Sequence, residues 1–557
     1  MAGRFFKLIL ISGLFITSIT IGASVQEEMT TERIRTKVEQ IRNTNELRIG
    51  DAGIASVNVL PELYERCGFC LLWDDPNNVD DLMREVEQIE EDGLDSDDYH
   101  FGILQNLRSQ IKAGESANPS LVTDFDMLLT DSLIRLGYHL IFGKVDPEDL
   151  DPHWNLAQEI DNKDPVDEIE KMLKSGDLAK TLDGLRPQHV LYANYKTALK
   201  KYRAIQATGG WEPVPPGPAL KKGMTDKRVS MLRNRLSVTG DLQDATSDSA
   251  FFDGQLEQAI IHFQNRHRLT ADGTVGKNTL EALNVPVEAR IDQIRVNLER
   301  ARWVLHAISG RFVLVDIAGF HVFFYQDDGI TWGSRVQVGN PYRRTPVFRS
   351  DIKYLVFNPT WTIPPGILNK DVLPAVKKNP NYLKERNIDV IDDQGNIINQ
   401  DTINWSQYPK QRFPYMLRQD PGPQNALGQI KFMFPNEHLV YLHDTPSRSL
   451  FAREHRTFSS GCIRVEKPFE LAKILLDNPN QWTQETIKKV IESRKPRTVN
   501  LPEHIPVLML YWTVAVDQDG TIHFKNDPYG RDMAVLEGLE EDFKFRKRPF
   551  GKKRLTL

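Results

Sequence analysis

The chain has 557 residues, 40% of them hydrophobic and 26% charged, with a formal net charge of −6. At roughly 150 residues per domain, this length predicts three or four domains with ordinary cores. The acidic balance excludes nucleic acid as the partner of the chain as a whole.

The N-terminus reads as an export signal. Arg4 and Lys7 precede an apolar run over residues 8–23, and small residues at Gly22, Ala23 and Ser24 give way to Gln26, Glu27 and Glu28. That is the order of basic, apolar and cleavage regions in a secretory signal. The run is short for a membrane span, which needs about 20 apolar residues, and Ser12, Gly13 and Ser18 interrupt it. Residues 1–24 are therefore assigned to a signal peptide and the expected compartment is the periplasm, with an uncleaved membrane anchor as the alternative. No cysteine follows the run to carry a lipid, and no later stretch is apolar enough to span.

Residues 30–205 have helical periodicity. Leu82, Val86 and Ile89 share one face; Phe125, Leu128, Leu129, Leu133 and Leu136 share a second; Tyr192, Tyr195, Leu199 and Tyr202 form a third. Cys67 and Cys70 lie in this region and are read as a structural pair able to close a small disulfide, because residues 60–73 lack the strand-to-helix context of a redox motif. The acidic run 90–98 fails as a calcium loop: counting from Asp95, the sixth position is His100 and the twelfth is Asn106. It is read as a solvated loop.

Residues 206–223 form a linker whose glycines and prolines suit neither helix nor central strand. The unit 224–286 has helices at 228–236 and 255–266, a turn at Asp272-Gly273, and a third helix capped by Thr279 or Asn278. Phe263-Gln264, Leu269, Asp272-Gly273, Val275-Gly276, Thr279-Leu280 and Leu283-Asn284 make it resemble the three-helix peptidoglycan-binding domain. That family often has Gly where this chain has Arg268. Residues 287–308 read as a connecting helix, its stripe of Ile291, Ile294, Leu298, Ala301 and Leu305 facing the N-terminal helices.

From 309 the period changes to two. Strands are predicted at 312–317, 320–325, 335–338, 354–357 and 439–442, and a late hairpin joins 507–516 to 521–524. Residues 362–425, rich in proline and polar residues with one short helix near Leu373, read as an inserted lid over the sheet of a domain spanning 309–495. Residues 496–557 hold the hairpin and a basic tail over 544–554. The predicted fold class is multidomain α+β: helical scaffold, three-helix unit, and mainly β domain with an inserted lid.

An odd cysteine count leaves one thiol free, and the distant Cys462 is that thiol. His443 closes a predicted strand 19 residues upstream. Ser459, Ser460 and Gly461 lead into Cys462, and such small residues let backbone amides approach a substrate oxygen. A thiol needs deprotonation to attack, and a neighbouring imidazole is the usual activator. Taken alone, the two residues also suit a buried cysteine and a structural histidine. His438, His443, His455 and Cys462 match no zinc spacing, and HExxH is absent, so no metal and no cofactor are expected.

The stretch from Tyr441 to Val465 resembles the active-site motif of the YkuD-type L,D-transpeptidases: a His, a gap, then Ser/Thr-x-Gly-Cys, an apolar residue and Asn or Arg. The x position, frequently His, is Ser460 here. Gly339 to Pro346, Asn358 to Pro365, Arg418 to Gly428, Lys431 to Asn436 and His443 to Pro446 look like the long YcbB-type branch of that family. The resemblance implies transfer between peptidoglycan stem peptides. Cys462 attacks the carbonyl at the L-centre of the third stem residue, D-Ala leaves, and an amine of a second stem resolves the thioester into a 3→3 cross-link. His443 is the base, and the carbonyl of Asp444 or a nearby backbone oxygen orients it. The Cys462 amide, Gly461 and the Tyr441 hydroxyl form the oxyanion hole beside Ser460. Arg464 meets a substrate carboxylate or makes a structural ion pair; Trp361 lines the cleft or fills a core. Implied partners are peptidoglycan stems and glycan, other cell-wall synthesis enzymes, and carbapenem-type inhibitors. The alternatives are an L,D-carboxypeptidase or endopeptidase using the same Cys and His, and a non-catalytic wall-binding protein.

Overall fold

A computed structural model describes residues 6–114, 118–151, 154–156, 164–243, 249–306, 308–327, 329–408, 412–517 and 519–544, with side chains from residue 25 onward. The backbone of the expected signal is helical as the start of a helix over Phe6–Thr44; its side chains, and the basic tail beyond Lys544, lie outside the described residues. Among the described residues, no helix is long and apolar enough to cross a membrane.

The N-terminal third is helical, with one small ribbon, β1 (Arg48–Ile49) and β2 (Ala52–Gly53). Its stripes are buried as the periodicity demands: Leu82, Val86, Ile89, Leu128, Leu129, Leu133 and Leu136 are inaccessible to solvent. Cys67 and Cys70 are joined as a disulfide. The acidic run is solvated at Glu90, Glu91, Asp95 and Asp97 but not at Asp92. Asp92 is fully buried and accepts bonds from Arg186 at 3.0 Å, Tyr192 at 2.9 Å and Lys196 at 3.3 Å. Buried charge persists only when paired, and here the cations come from elements far along the chain.

The three-helix unit has helices Arg228–Val238, Gly254–Arg266 and Lys277–Leu283 around its own core of Leu232, Leu256, Ile260 and Phe263. The third helix is capped neither by Thr279 nor by Asn278. Gly276 is the N-cap, and Thr279 Oγ1 instead accepts from Gln264 Nε2 at 3.1 Å. The connecting helix, Val287–Val304, packs on the Val190–Ala207 helix as expected.

The mainly β domain is built from β3 (Phe312–Asp316), β4 (His321–Gln326), β5 (Gly329–Gly339), β6 (Phe348–Phe357), β11 (Ile430–Met433), β12 (Leu442–His443), β13 (Thr457–Ser459), β14 (Ile463–Val465) and β15 (Arg497–Leu510). The order is β13-β5-β14-β12-β11-β6-β15-β3-β4, and β4 pairs again with β5. The pairings therefore close into a ring. Eleven-residue β5 makes this feasible: Gly329 to Arg335 pair with β4, and Val336 and Gln337 pair with β14. The helical scaffold and this ring share one continuous hydrophobic core.

Two expectations are corrected. The late strand is broken: Val507 to Leu510 belong to β15 in the ring, while β16 (Val514–Val516) and β17 (Ile522–Phe524) form a separate ribbon. The insertion holds more regular structure than the single short helix expected near Leu373. Strands β7 (Trp361–Thr362), β8 (Ile388–Ile391), β9 (Ile397–Ile398) and β10 (Met416–Gln419) form a second sheet, ordered β7-β10-β8-β9. That sheet and the helix Leu373–Lys378 enclose a core of Leu373, Val376, Leu383, Val390 and Leu417.

Candidate active site

The site is a consequence of strand register. Parallel strands β12 and β14 pair Leu442 with Ile463 and His443 with Arg464. Leu442 and Ile463 are fully buried in the shared core. Side chains alternate along strands, so the residues on either side of them, Tyr441 and His443, Cys462 and Arg464, share the opposite face. Adjoining strands extend the row: Lys431 of β11 pairs with His443, and Gln337 of β5 pairs with Arg464. Four neighbouring strands thus present Lys431, His443, Arg464 and Gln337 side by side. Cys462 is the diagonal neighbour of His443 on that face.

His443 is 4% exposed, and its Nδ1 lies 2.5 Å from the Asp444 carbonyl oxygen. A carbonyl only accepts, so Nδ1 carries the proton and Nε2 is left with a lone pair. Burial, then the charge of Arg464, pushes His443 down to about 3, against the opposing pull of the Asp444 and Leu427 carbonyls. The imidazole is neutral at neutral pH. The Asp444 side chain is occupied elsewhere: it accepts from the Gln429 amide at 3.0 Å and from Arg448 at 3.0 Å. Gly428, at φ +63°, permits that approach, because a β-carbon there would collide with Asp444.

Cys462 is a half-buried free thiol. Its Sγ faces the Leu439 carbonyl at 3.9 Å rather than the imidazole. Burial pushes the thiol up, opposed by Tyr441 and by the Arg464 charge. Burial and the neighbouring thiol push the Tyr441 phenol up in turn. The resting pair is thus a neutral thiol and a neutral imidazole.

Gly461 sits at φ +114°, a conformation that favours glycine. Its amide donates to Ser459 Oγ at 3.2 Å and its carbonyl accepts from Thr345 Oγ1 at 2.8 Å. The Gly461 amide is therefore engaged within the loop, which removes it from the expected oxyanion hole. In a trans peptide the next N–H points opposite to the carbonyl, so the Cys462 amide is directed away from Thr345. Thr345 also accepts from the Gly339 amide at 2.9 Å.

Ser460 is exposed and accepts from Arg343 Nη1 at 2.9 Å; the same nitrogen bonds Asp371 of the insertion at 2.5 Å. Arg343 thereby ties the insertion to the thiol loop. Among the described residues, Arg464 makes no ion pair. Burial pushes its pKa down, Nη1 donates to Gln337 at 3.2 Å, and Nε is buried without a partner. Trp361 does not join the row: it packs against the core of the insertion. Lys431, Gln337, Arg343 and Thr345 had no separate signal in the sequence, although Arg343, Thr345 and Lys431 lie in segments that look like the long transpeptidase branch. No group of His, Cys, Asp and Glu suited to a metal occurs among the described residues.

Three family models match the chain: a scaffold domain over residues 58–199, a peptidoglycan binding domain over 225–283, and an L,D-transpeptidase catalytic domain over 310–491. A Haemophilus influenzae protein named for L,D-transpeptidase activity is 36% identical over 272 residues, which cover 48% of this chain and 54% of that protein. The chain spans about half the length of that curated relative. Two solved structures are more distant. An L,D-transpeptidase from Xylanimonas cellulosilytica has 15% identity, 53% coverage of this chain, 100% of its own and a TM-score of 0.18. One from Stackebrandtia nassauensis has 14%, 54%, 97% and 0.20. Overlap so slight bears on neither fold nor activity. The geometry of Cys462 and His443 lies within the matched catalytic segment, and the chain carries a YkuD-family L,D-transpeptidase catalytic domain preceded by a peptidoglycan-binding domain.

Proposed function

We propose that this chain joins peptidoglycan stem peptides by 3→3 cross-links through a thioester on Cys462. The observation that carries the reading is the register of β12 with β14, which sets a free thiol and an imidazole with an open Nε2 on one face of a rigid sheet.

The chemistry follows from the protonation states. The Cys462 proton passes to His443 Nε2 as Sγ bonds to the donor carbonyl carbon. The Cys462 amide faces the resulting oxyanion, and the Tyr441 hydroxyl is the second donor. The carbon–nitrogen bond to D-Ala breaks, and His443 returns the proton to that leaving amine. The acceptor amine then attacks the thioester and gives its excess proton to His443, the carbon–sulfur bond breaks, and His443 returns that proton to the departing Cys462 thiolate. Arg464, with unused donors on the same face, suits a stem carboxylate. Export by residues 1–24 to the periplasm places the chain with this substrate, and other cell-wall synthesis enzymes would work beside it. A carbapenem would acylate the same thiol.

The test uses the mature chain, disaccharide fragments with tetrapeptide stems, and mass spectrometry, beside Cys462→Ala. A Cys462-dependent dimer lacking one D-Ala supports the reading. Tripeptide monomer alone transfers the assignment to an L,D-carboxypeptidase, and no product with either protein leaves a wall-binding protein.

A further inference from the structure

A cavity of about 360 Å³ opens between the peptidoglycan-binding domain and the ring, away from the His443–Arg464 row. One wall is the end of the Gly254–Arg266 helix and the residues after it; the other is the segment 452–456 that leads into β13 and on to Cys462. Its lining carries five cations, Arg268, Arg335, Arg453, Arg456 and Lys525, against one carboxylate, Glu454.

Two of these cations have acids of their own. Arg335 pairs with Glu466, and Lys525 with Asp316 at 2.6 Å. The others do not. Arg456 is buried; among the described residues its guanidinium lies over the Phe320 ring and donates to the backbone carbonyls of Val336, Arg453 and Phe320, at 2.9–3.2 Å. Among the described residues, Arg268 and Arg453 have no carboxylate within ion-pair distance. Arg268 is held at φ +55°, a helix-end position where glycine is the comfortable residue. The backbone conformation therefore disfavours the side chain that supplies this charge. Burial, then the Arg268 charge, holds His321 down to about 4; burial, then the charges of Arg335 and Arg268, holds Arg456 down to about 10. Set against Glu454, Glu466 and Asp316, the five cations leave an excess of two positive charges in a partly enclosed cavity, and such an excess favours an anion, which guanidinium groups bind through paired N–H donors.

We propose that this cavity is a second ligand site, taking a carboxylate or phosphate group of a cell-wall polymer held by the peptidoglycan-binding domain. Only the source of the anion rests on the function proposed above; the site rests on the cation cluster. The Arg456 carbonyl accepts from the Val338 amide at 2.9 Å, so an occupant would sit at the root of the segment that ends in the thiol.

The test is calorimetric titration of full-length Cys462→Ala, and of the same chain with Arg268→Gly added. The probes are a disaccharide tetrapeptide fragment, which has carboxylates and no phosphate, and inorganic pyrophosphate. Glycine suits the backbone at 268, so the second protein should fold and melt no lower than the first. Binding of either probe, weakened about tenfold or more by Arg268→Gly, supports the site, and the probe that binds names the source. Equal affinity in both proteins locates binding elsewhere and overturns the proposal. So does the absence of binding to the first protein up to about 10 mM. Failure of the intact enzyme to cross-link would overturn the transpeptidase reading and leave this difference in binding untouched.

Discussion

The Nδ1 of His443 donates to the carbonyl oxygen of Asp444, its own neighbour in the chain, across 2.5 Å. An adjacent backbone oxygen thus sets the tautomer, and no third side chain is required. Nitrogen-15 NMR of ring-labelled protein should show His443 protonated on Nδ1 and bare on Nε2 at pH 7. Asp444→Asn keeps that carbonyl and should keep the tautomer; a change in it would show that the carboxylate, not the backbone, orients the ring.

His443 also predicts a dependence of stability on pH. Its folded-state value, about 3, lies below the ordinary 6.5. The folded protein therefore keeps a neutral ring over a range in which the unfolded chain takes up a proton. Above pH 6.5 this group is without effect; below it, stability is lost progressively until the folded value is passed. At pH 5 the loss is about 2 kcal/mol. His443→Gln removes the titration, so the gap between the two proteins in urea midpoint should move in favour of the variant as pH falls from 7 to 5. A constant gap would refute the depressed value.

The thiol is shifted the other way. Burial raises Cys462 above its ordinary 9.0, so less than about 1% is thiolate at pH 7. Alkylation by iodoacetamide should still be accelerating at pH 9, whereas cross-linking, with proton transfer to His443 inside the site, should level off at lower pH. A plateau in alkylation near pH 7 would instead indicate a preformed thiolate.

Thr345 is the residue whose removal tests the oxyanion geometry. Thr345→Val leaves the Gly461 carbonyl and the Gly339 amide without their partner in a buried setting. The expected costs are about 2 kcal/mol of stability and roughly a hundredfold in kcat. A loss in melting temperature with kcat intact would separate the loop's packing from its chemistry.

Asp92 offers a test far from the site. It is fully buried among Arg186, Lys196, Tyr192 and Arg302. Asp92→Asn removes the carboxylate shared by Arg186 and Lys196, while Arg186 keeps Glu85 and Arg302 keeps Glu299, and should cost about 3 kcal/mol in denaturant unfolding. A change below about 1 kcal/mol would restore the reading of this run as a solvated loop.

The sequence by itself determined the helical stripes, the three-helix unit and the switch to strands, because burial of one face imposes a period that is visible locally. It also marked Cys462 and His443, since a lone thiol after a small-residue approach and the surrounding segments point to the same chemistry. What it left undetermined depends on contacts between distant segments. Lys431, His443, Arg464 and Gln337 become one row only when four strands adopt a particular register. The carboxylate of Asp92 looks solvated until cations from a later turn and two later helices surround it. Gly461 presents an amide to the sequence reader, yet Ser459 occupies it in the folded loop. Trp361 had a place in either a cleft or a core, and the insertion's separate sheet set it, half-buried, against that insertion's core. Local pattern carries periodicity and residue chemistry; register, hydrogen-bond partners and the pairing of charges across domains are properties of the assembled chain.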